Sequence, residues 1–189
     1  VGLGAALAVF FNSGQICFAA SRLFVQESVY ERVVEAVAAA AGHFKIGNGQ
    51  DPDTMLGPLV SRRQQERVLG YVKSGIEQGA RLVCGGHTVG DKGYFFQPTV
   101  LADATPSMKI AQEEIFGPVL SVIPFKDEAE AIRLANDTAY GLAANIWTRD
   151  IKKAHRVAHR LQAGSVWINC HGVIDPAAPF GGFKQSGWG

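Results

Sequence analysis

The feature that most constrains the fold is a regular alternation of strand-like and helix-like segments between residues 119 and 169. Residues 119–123, 142–147 and 165–169 are short apolar runs typical of buried strands. Helical patterns separate them, and Asp127 and Asp150 stand where helix N-caps are expected. Strands alternating with helices of this length form right-handed βαβ units. The sequence therefore predicts an α/β fold, an αβα sandwich whose parallel sheet is covered by helices on both faces.

The first part of the chain fits the same architecture. Strands are expected at 23–25, 81–84 and 95–101, and helices over 28–45 and 61–79. Ser28 and Glu31 have the spacing of a capping box at the start of the first of these helices. Residues 85–93 are rich in glycine and predict a turn region. The whole of 1–189 is therefore expected to form one domain, or one lobe of a larger enzyme.

Composition excludes several classes of partner and site. The 189 residues include 18 Lys and Arg against 17 Asp and Glu, with no long run of one sign, so neither nucleic acid nor a membrane surface is expected as a partner. The apolar run 1–11 is too short to span a bilayer. The widely spaced Cys17, Cys84 and Cys170 form no metal-binding pattern, so we expect no metal and a reducing, cytoplasmic location.

Cys17 lies where an apolar helical run ends and a strand-like run begins. Gly14 and Gln15 precede it and two alanines follow, which would let other groups approach the sulfur closely. Two interpretations remain open at this point. The thiol is either reactive, or a small buried apolar side chain, which is the usual fate of a free cysteine.

Two further segments stand out. Glu113 and Glu114 precede an aromatic residue and a Gly-Pro turn, and they form either part of a site or a solvated helix end. Residues 169–187 follow the last strand as a loop rich in Gly, Pro and aromatic residues, which fits either a pocket wall or a linker. No G-x-G-x-x-G fingerprint follows a predicted strand, so most of any nucleotide site would lie elsewhere.

Together these three segments resemble the aldehyde dehydrogenase family. The matching motifs are F-x3-G-Q-x-C ending at Cys17, E-E-I-F-G-P at 113–118 and P-F-G-G-F-K-Q-S-G at 179–187. Their order and spacing also agree with the family, and the resemblance extends to 57–60 and 140–144. It covers essentially the whole chain and implies the fold of the family's catalytic domain.

The resemblance implies a nucleophile and a cofactor. Cys17 is similar to the family cysteine that attacks an aldehyde to form a thiohemiacetal and then a thioester. NAD or NADP is the implied cofactor. Its nicotinamide ribose would be held by Glu114 and its nicotinamide would pack beside Phe116. Gln64 and Arg67 match positions on the adenosine side.

The implied substrate is a small-molecule aldehyde. The residues that would line its tunnel are apolar or aromatic, which favours an aromatic or medium-chain aldehyde: Ile16, Phe18, Val173, Ile174 and Phe180. Residues 175–176 and the ending 184–189 look like aryl-acetaldehyde dehydrogenase-like members of the family.

Other parts implied by the family are expected outside these residues. They are the general-base glutamate, the oxyanion-hole asparagine, the dinucleotide-binding domain and the oligomerisation strand. Residues 1–189 would then be the catalytic domain of a homodimer or homotetramer, inactive alone. Two alternatives remain: a thiol hydrolase in which His171 serves as the base, and a noncatalytic remnant or assembly piece.

Overall fold

A computed structural model describes all of residues 1–189. Its contacts divide the chain into two compact units, an N-terminal unit of Val1–Pro124 and a C-terminal unit of Phe125–Gly189. The single domain predicted for 1–189 stays a prediction. None of the helices has the length and apolar character needed to cross a membrane.

The N-terminal unit contains four helices and nearly all of six strands. The helices are α1 (Gly2–Phe10), α2 (Tyr30–Ala41), α3 (Arg62–Glu77) and α4 (Lys109–Gln112). The strands are β1 (Arg22–Gln26), β2 (Arg81–Cys84), β3 (Thr88–Val89), β4 (Phe95–Phe96), β5 (Thr99–Ala102) and β6 (Val119–Phe125). Short 3₁₀ turns occupy Phe11–Gly14 and Glu27–Val29.

The main sheet has the strand order β1-β6-β5-β2. Strands β5 and β6 are parallel, whereas β2 is antiparallel to β5. The α/β class is confirmed, but the sheet is mixed rather than wholly parallel. The reason is that β2 returns to β5 through the β3–β4 hairpin, without the crossover helix that a parallel pair requires.

Helices cover both faces of this sheet, as predicted. Val100 and Ala102 of β5 are fully buried in a cluster with α1 and α2, which includes Val9, Val34 and Val37. Leu101 points to the opposite face by strand alternation, and its side chain approaches Gly75 of α3. The core therefore lies on both sides of β5.

The C-terminal unit contains α5 (Glu128–Asn136), α6 (Ile151–Ala158), β7 (Tyr140–Gly141), β8 (Ala143–Ile146), β9 (Ser165–Ile168) and β10 (Phe183–Lys184). Strands β8 and β9 are parallel with α6 between them, which is the βαβ unit predicted from sequence. The Asp127 carboxylate accepts a hydrogen bond from the Glu130 amide at 2.9 Å, and Asp150 caps α6 in the same way.

Two local predictions were wrong and a third was incomplete. The Ser28 capping box does not form: α2 begins only at Tyr30 without a side-chain cap, and Glu31 pairs with Arg81 at 2.9 Å. The strand predicted over 95–101 is broken at Pro98, which has no N–H for the ladder. The turn region 85–93 includes strand β3 of a short hairpin.

Candidate active site

The segment that leads to Cys17 has an unusual backbone. Asn12, Ser13 and Gly14 are three consecutive residues with φ of 52°, 56° and 69°. The left-handed conformation costs about 1–2 kcal/mol for each residue other than glycine. The turn between α1 and β1 must therefore be held in place by other contacts.

Hydrogen bonds to the loop 57–60 supply those contacts. The Ser13 hydroxyl, which is buried, donates to the Gly57 carbonyl at 2.7 Å. The Gln15 side chain accepts from the Val60 amide at 2.9 Å and donates to the Pro58 carbonyl at 3.4 Å. These bonds fix the cysteine turn to a loop more than 40 residues further along the chain.

Gly14 brings the first two motifs together. A Cβ at this position would overlap the carbonyl group of Gly117, so only glycine permits the two backbones to approach this closely. The cysteine turn and the E-E-I-F-G-P segment are therefore in direct contact within the N-terminal unit.

The Cys17 thiol is free and exposed, so its interpretation as a buried apolar side chain is wrong. Its amide N–H makes no hydrogen bond within the chain. Cys84 differs from it, because the Cys84 side chain is half-buried and that burial raises the pKa of its thiol. Ile16 and Phe18, on either side of Cys17, are partly buried.

Helix α3 holds the backbone around Glu114. Gln64 donates from one amide nitrogen to the carbonyls of Ile115 at 3.0 Å and Phe116 at 2.8 Å. Arg67 donates to the Glu114 carbonyl at 2.6 Å. The cofactor role predicted for Gln64 and Arg67 stays a prediction; within this chain their side chains hold the second motif.

The Glu114 carboxylate is exposed and has no hydrogen bond or ion pair. Glu113 differs, since it accepts a hydrogen bond from the Tyr71 hydroxyl at 2.7 Å and lies 3.9 Å from the Lys109 ammonium. The sequence had given no reason to single out Tyr71. The spacing of 64, 67 and 71 along one helical face was the signal that could have revealed it.

The third motif is built into the C-terminal unit. Strand β10, which carries Phe183, pairs with β7, and the Gly141 amide donates to the Ser186 hydroxyl at 3.0 Å. A Cβ on Gly164 would overlap the carbonyl of Gly181. The motif at 179–187 is thus docked on the matched segment at 140–144, which favours an ordered wall over a linker.

The remaining predicted pocket residues lie on the loop after β9. Val173 and Ile174 are 68% and 48% exposed, and Phe180 is exposed as well. The Trp167 indole N–H donates to the Val173 carbonyl at 2.8 Å, which fixes the start of this loop.

His171 is engaged inside the C-terminal unit. Its Nδ1 lies 2.6 Å from the Asn145 amide nitrogen, and its ring packs edge-on against Trp167 at 5.2 Å. Burial lowers the pKa of the His171 imidazole. No pattern in the sequence pointed to Asn145 as a partner of His171. No group of three or more His, Cys, Asp or Glu side chains in the chain is arranged to hold a metal ion.

The chain has clear relatives of known type. Residues 3–189 match the model of the aldehyde dehydrogenase family. The putative aldehyde dehydrogenase DhaS of Bacillus subtilis is 50% identical over 98% of this chain. The NAD+ complex of an aldehyde dehydrogenase from Bacillus cereus superposes with a TM-score of 0.95 at 50% identity over 97% of this chain.

The name of a third relative includes an aromatic aldehyde. A mutant of the P. syringae indole-3-acetaldehyde dehydrogenase AldA, solved in complex with NAD+ and IAA, has a TM-score of 0.96 and 48% identity over 98% of this chain. The chain spans 38% of the length of each of these three proteins. On the match of the family model to nearly every residue, this chain belongs to the aldehyde dehydrogenase family.

Proposed function

We propose that this chain is the catalytic, nucleophile-bearing domain of an NAD(P)-dependent aldehyde dehydrogenase, which oxidises an aldehyde to a carboxylic acid. One observation carries the proposal: the turn that presents Cys17 is packed through Gly14 onto Gly117 of the segment that carries Glu114. Because this packing joins the segment with an exposed thiol to the segment with an unpaired carboxylate, it supports a site to which both segments contribute. Family membership and the NAD+ complexes of two relatives support it.

Cys17 would form the covalent intermediate. Its thiolate attacks the aldehyde carbon, a C–S bond forms, and the carbonyl π electrons move to the oxygen of the thiohemiacetal. The Cys17 amide N–H has no partner within the chain and is available to donate to that oxyanion. Loss of a hydride from the thiohemiacetal carbon, as the oxyanion re-forms its C=O bond, would give the thioester, and hydrolysis of that thioester would release the acid.

Two residues fit the nicotinamide half of the cofactor. The exposed Glu114 carboxylate can only accept hydrogen bonds, which suits the two hydroxyls of a ribose. Phe116 supplies an aromatic face, and its backbone (φ 58°) is held by Gln64. When bound, NAD or NADP would supply the acceptor for the hydride that leaves the substrate carbon attached to Cys17.

The residues that the family resemblance assigns to the substrate tunnel are apolar or aromatic in each of the two units. Ile16 and Phe18 flank the nucleophile, and Val173, Ile174 and Phe180 present apolar surface on the loop of the C-terminal unit. We propose an aromatic or medium-chain aldehyde, with arylacetaldehydes first. The name of the P. syringae relative supports that choice.

Further parts of the proposal rest on the family alone. These are the homodimeric or homotetrameric state, the cytoplasmic location, and a dinucleotide-binding domain and general base outside residues 1–189. Under this proposal the isolated 189-residue chain produces no NADH from aldehyde and NAD+. An NADH signal at the rate of a full-length enzyme would overturn that part.

The nucleophile is tested by intact mass after exposure of the 189-residue chain to an activated ester. We expect one long-lived acyl group, present in Cys84→Ser and Cys170→Ser and absent from Cys17→Ser. In the full-length protein, Cys17→Ser should lower NADH formation by at least about 10³-fold, as loss of a nucleophile does in other enzymes. Acylation at another cysteine, or activity retained by Cys17→Ser, would contradict the proposal.

The same assay separates the alternatives. A thiol hydrolase would hydrolyse the ester rapidly, would lose that activity in His171→Ala and would keep it in Glu114→Gln. A noncatalytic assembly piece would give a full-length protein without NADH formation and a chain whose Cys17 is no more reactive than Cys170.

A further inference from the structure

One face of α3 contacts five successive residues of the second motif. Positions 64, 67, 68 and 71 fall on the same side of a helix. Their contacts follow the order of the motif: Tyr71 to Glu113, Arg67 to Glu114, Gln64 to Ile115 and Phe116, and Val68 to Gly117.

This segment depends on those contacts for its shape. Residues 113–118 lie between α4 and β6 and form no helix or strand of their own. Phe116 has a φ of 58°, which is unfavourable for a residue with a side chain. The backbone direction at Glu114, and so the placement of its carboxylate, is therefore set largely from α3.

Tyr71 and Glu113 form the outer end of this arrangement. A carboxylate can only accept hydrogen bonds, so the Tyr71 hydroxyl donates a hydrogen bond to Glu113 at 2.7 Å. The same hydroxyl oxygen accepts from Arg67 at 3.3 Å, and that guanidinium nitrogen also donates to the Glu114 carbonyl at 2.6 Å. The direction of each bond is thus fixed by chemistry.

The ring of Tyr71 has a second role. The Arg67 guanidinium carbon lies 5.4 Å and the Lys109 ammonium 5.1 Å from the ring centroid, within the range of a cation–π contact. Tyrosine therefore orients Arg67 through both its hydroxyl and its face.

We propose that Tyr71 and Glu113 are positioning residues for the cofactor site, which hold Arg67 against the Glu114 carbonyl and so fix the carboxylate of Glu114. The inference rests on the proposed function, since it assigns what the held carboxylate binds. Burial, followed by the hydrogen bond to Glu113, raises the pKa of Tyr71, so its hydroxyl stays a donor at neutral pH.

The first test needs no cofactor. Hydrogen exchange of the backbone amides at 113–117 is measured on Tyr71→Phe, which keeps the ring and loses the hydroxyl. We expect exchange about 5- to 10-fold faster, the change in a local opening equilibrium that loss of one hydrogen bond produces. Tyr140→Phe is the control, because the Tyr140 hydroxyl makes no hydrogen bond.

A second variant reaches the same bond from the other side. The Glu113 side chain is 52% exposed, so Glu113→Ala removes the acceptor without opening the core. It should speed exchange in the same direction but no more than Tyr71→Phe, which also loses the acceptor for Arg67. The double variant should exchange little faster than Tyr71→Phe alone, because both changes remove the bond between Tyr71 and Glu113 and the exposed 3.9 Å pair of Glu113 with Lys109 contributes little. Glu113→Gln keeps an acceptor oxygen and should restore most of the protection.

The second test measures NAD+ in the full-length protein. Tyr71→Phe and Glu113→Ala should weaken NAD+ binding, measured by calorimetry, and raise the KM for NAD+ about 5- to 10-fold, with the rate of Cys17 acylation by an activated ester unchanged. Unaltered exchange at 113–117 and unaltered NAD+ affinity would overturn the inference. Failure of the proposed function would appear instead as activity that survives Cys17→Ser.

Discussion

Replacement of Gly14 by alanine tests whether the close approach of the two motifs holds the site together. Gly14 has a φ of 69°, and a Cβ there would overlap the backbone carbonyl of Gly117. The left-handed conformation alone costs about 1–2 kcal/mol for alanine. The overlap is with backbone rather than with a flexible side chain, so it should add about 1–3 kcal/mol, as overpacking does elsewhere.

Gly90→Ala is a matched control for the cost of the left-handed backbone conformation. Gly90 has a φ of 70°, but the nearest atom that a Cβ would meet is 4.0 Å away. It should therefore lower the free energy of unfolding by about 1–2 kcal/mol, from backbone conformation alone. The difference between the two variants isolates the contact with Gly117.

The assay is urea unfolding followed by far-UV circular dichroism, together with the rate at which an activated ester acylates Cys17. Gly14→Ala should lower the free energy of unfolding by at least about 1 kcal/mol more than Gly90→Ala does. It should also slow the acylation, because the turn that presents Cys17 is displaced, whereas Gly90→Ala should not. Equal costs for the two variants, with equal acylation rates, would refute the role assigned to Gly14.

Three further predictions concern ionisation and capping. The pKa of Tyr30 is raised to about 12, first by burial, so the wild type should lose about 2–3 kcal/mol of unfolding free energy between pH 10 and 12. Tyr30→Phe should not show this loss. An equal dependence on alkaline pH in the two proteins would contradict the prediction. Burial lowers the pKa of His171 from its usual 6.5, so the neutral imidazole should contribute less to stability as the pH falls below 6.5. An NMR titration that gives His171 a raised pKa would refute this prediction. Asp127→Ala removes the cap of α5 and should cost about 1 kcal/mol in urea unfolding. Asp91→Ala, which removes an exposed carboxylate without a bond, should cost less than Asp127→Ala, and an equal cost would count against the cap.

Short-range patterns were read correctly from the sequence where the interaction itself is short-range. The caps at Asp127 and Asp150 join residues three apart, and the βαβ unit of β8, α6 and β9 follows from periodicity. Ser28 shows the limit of such reasoning. Its capping box has the right spacing, but Glu31 forms an ion pair with Arg81, 50 residues away.

By itself the sequence determined the α/β class, the three motifs and the family to which they belong. It also singled out Cys17 and Glu114. Only the tertiary structure decided how the first two motifs meet, through Gly14 on Gly117, and which side chains of α3 hold the second one. The physical reason is that these contacts join residues 40 to more than 100 positions apart, often through backbone carbonyls, which every residue carries and no sequence pattern marks.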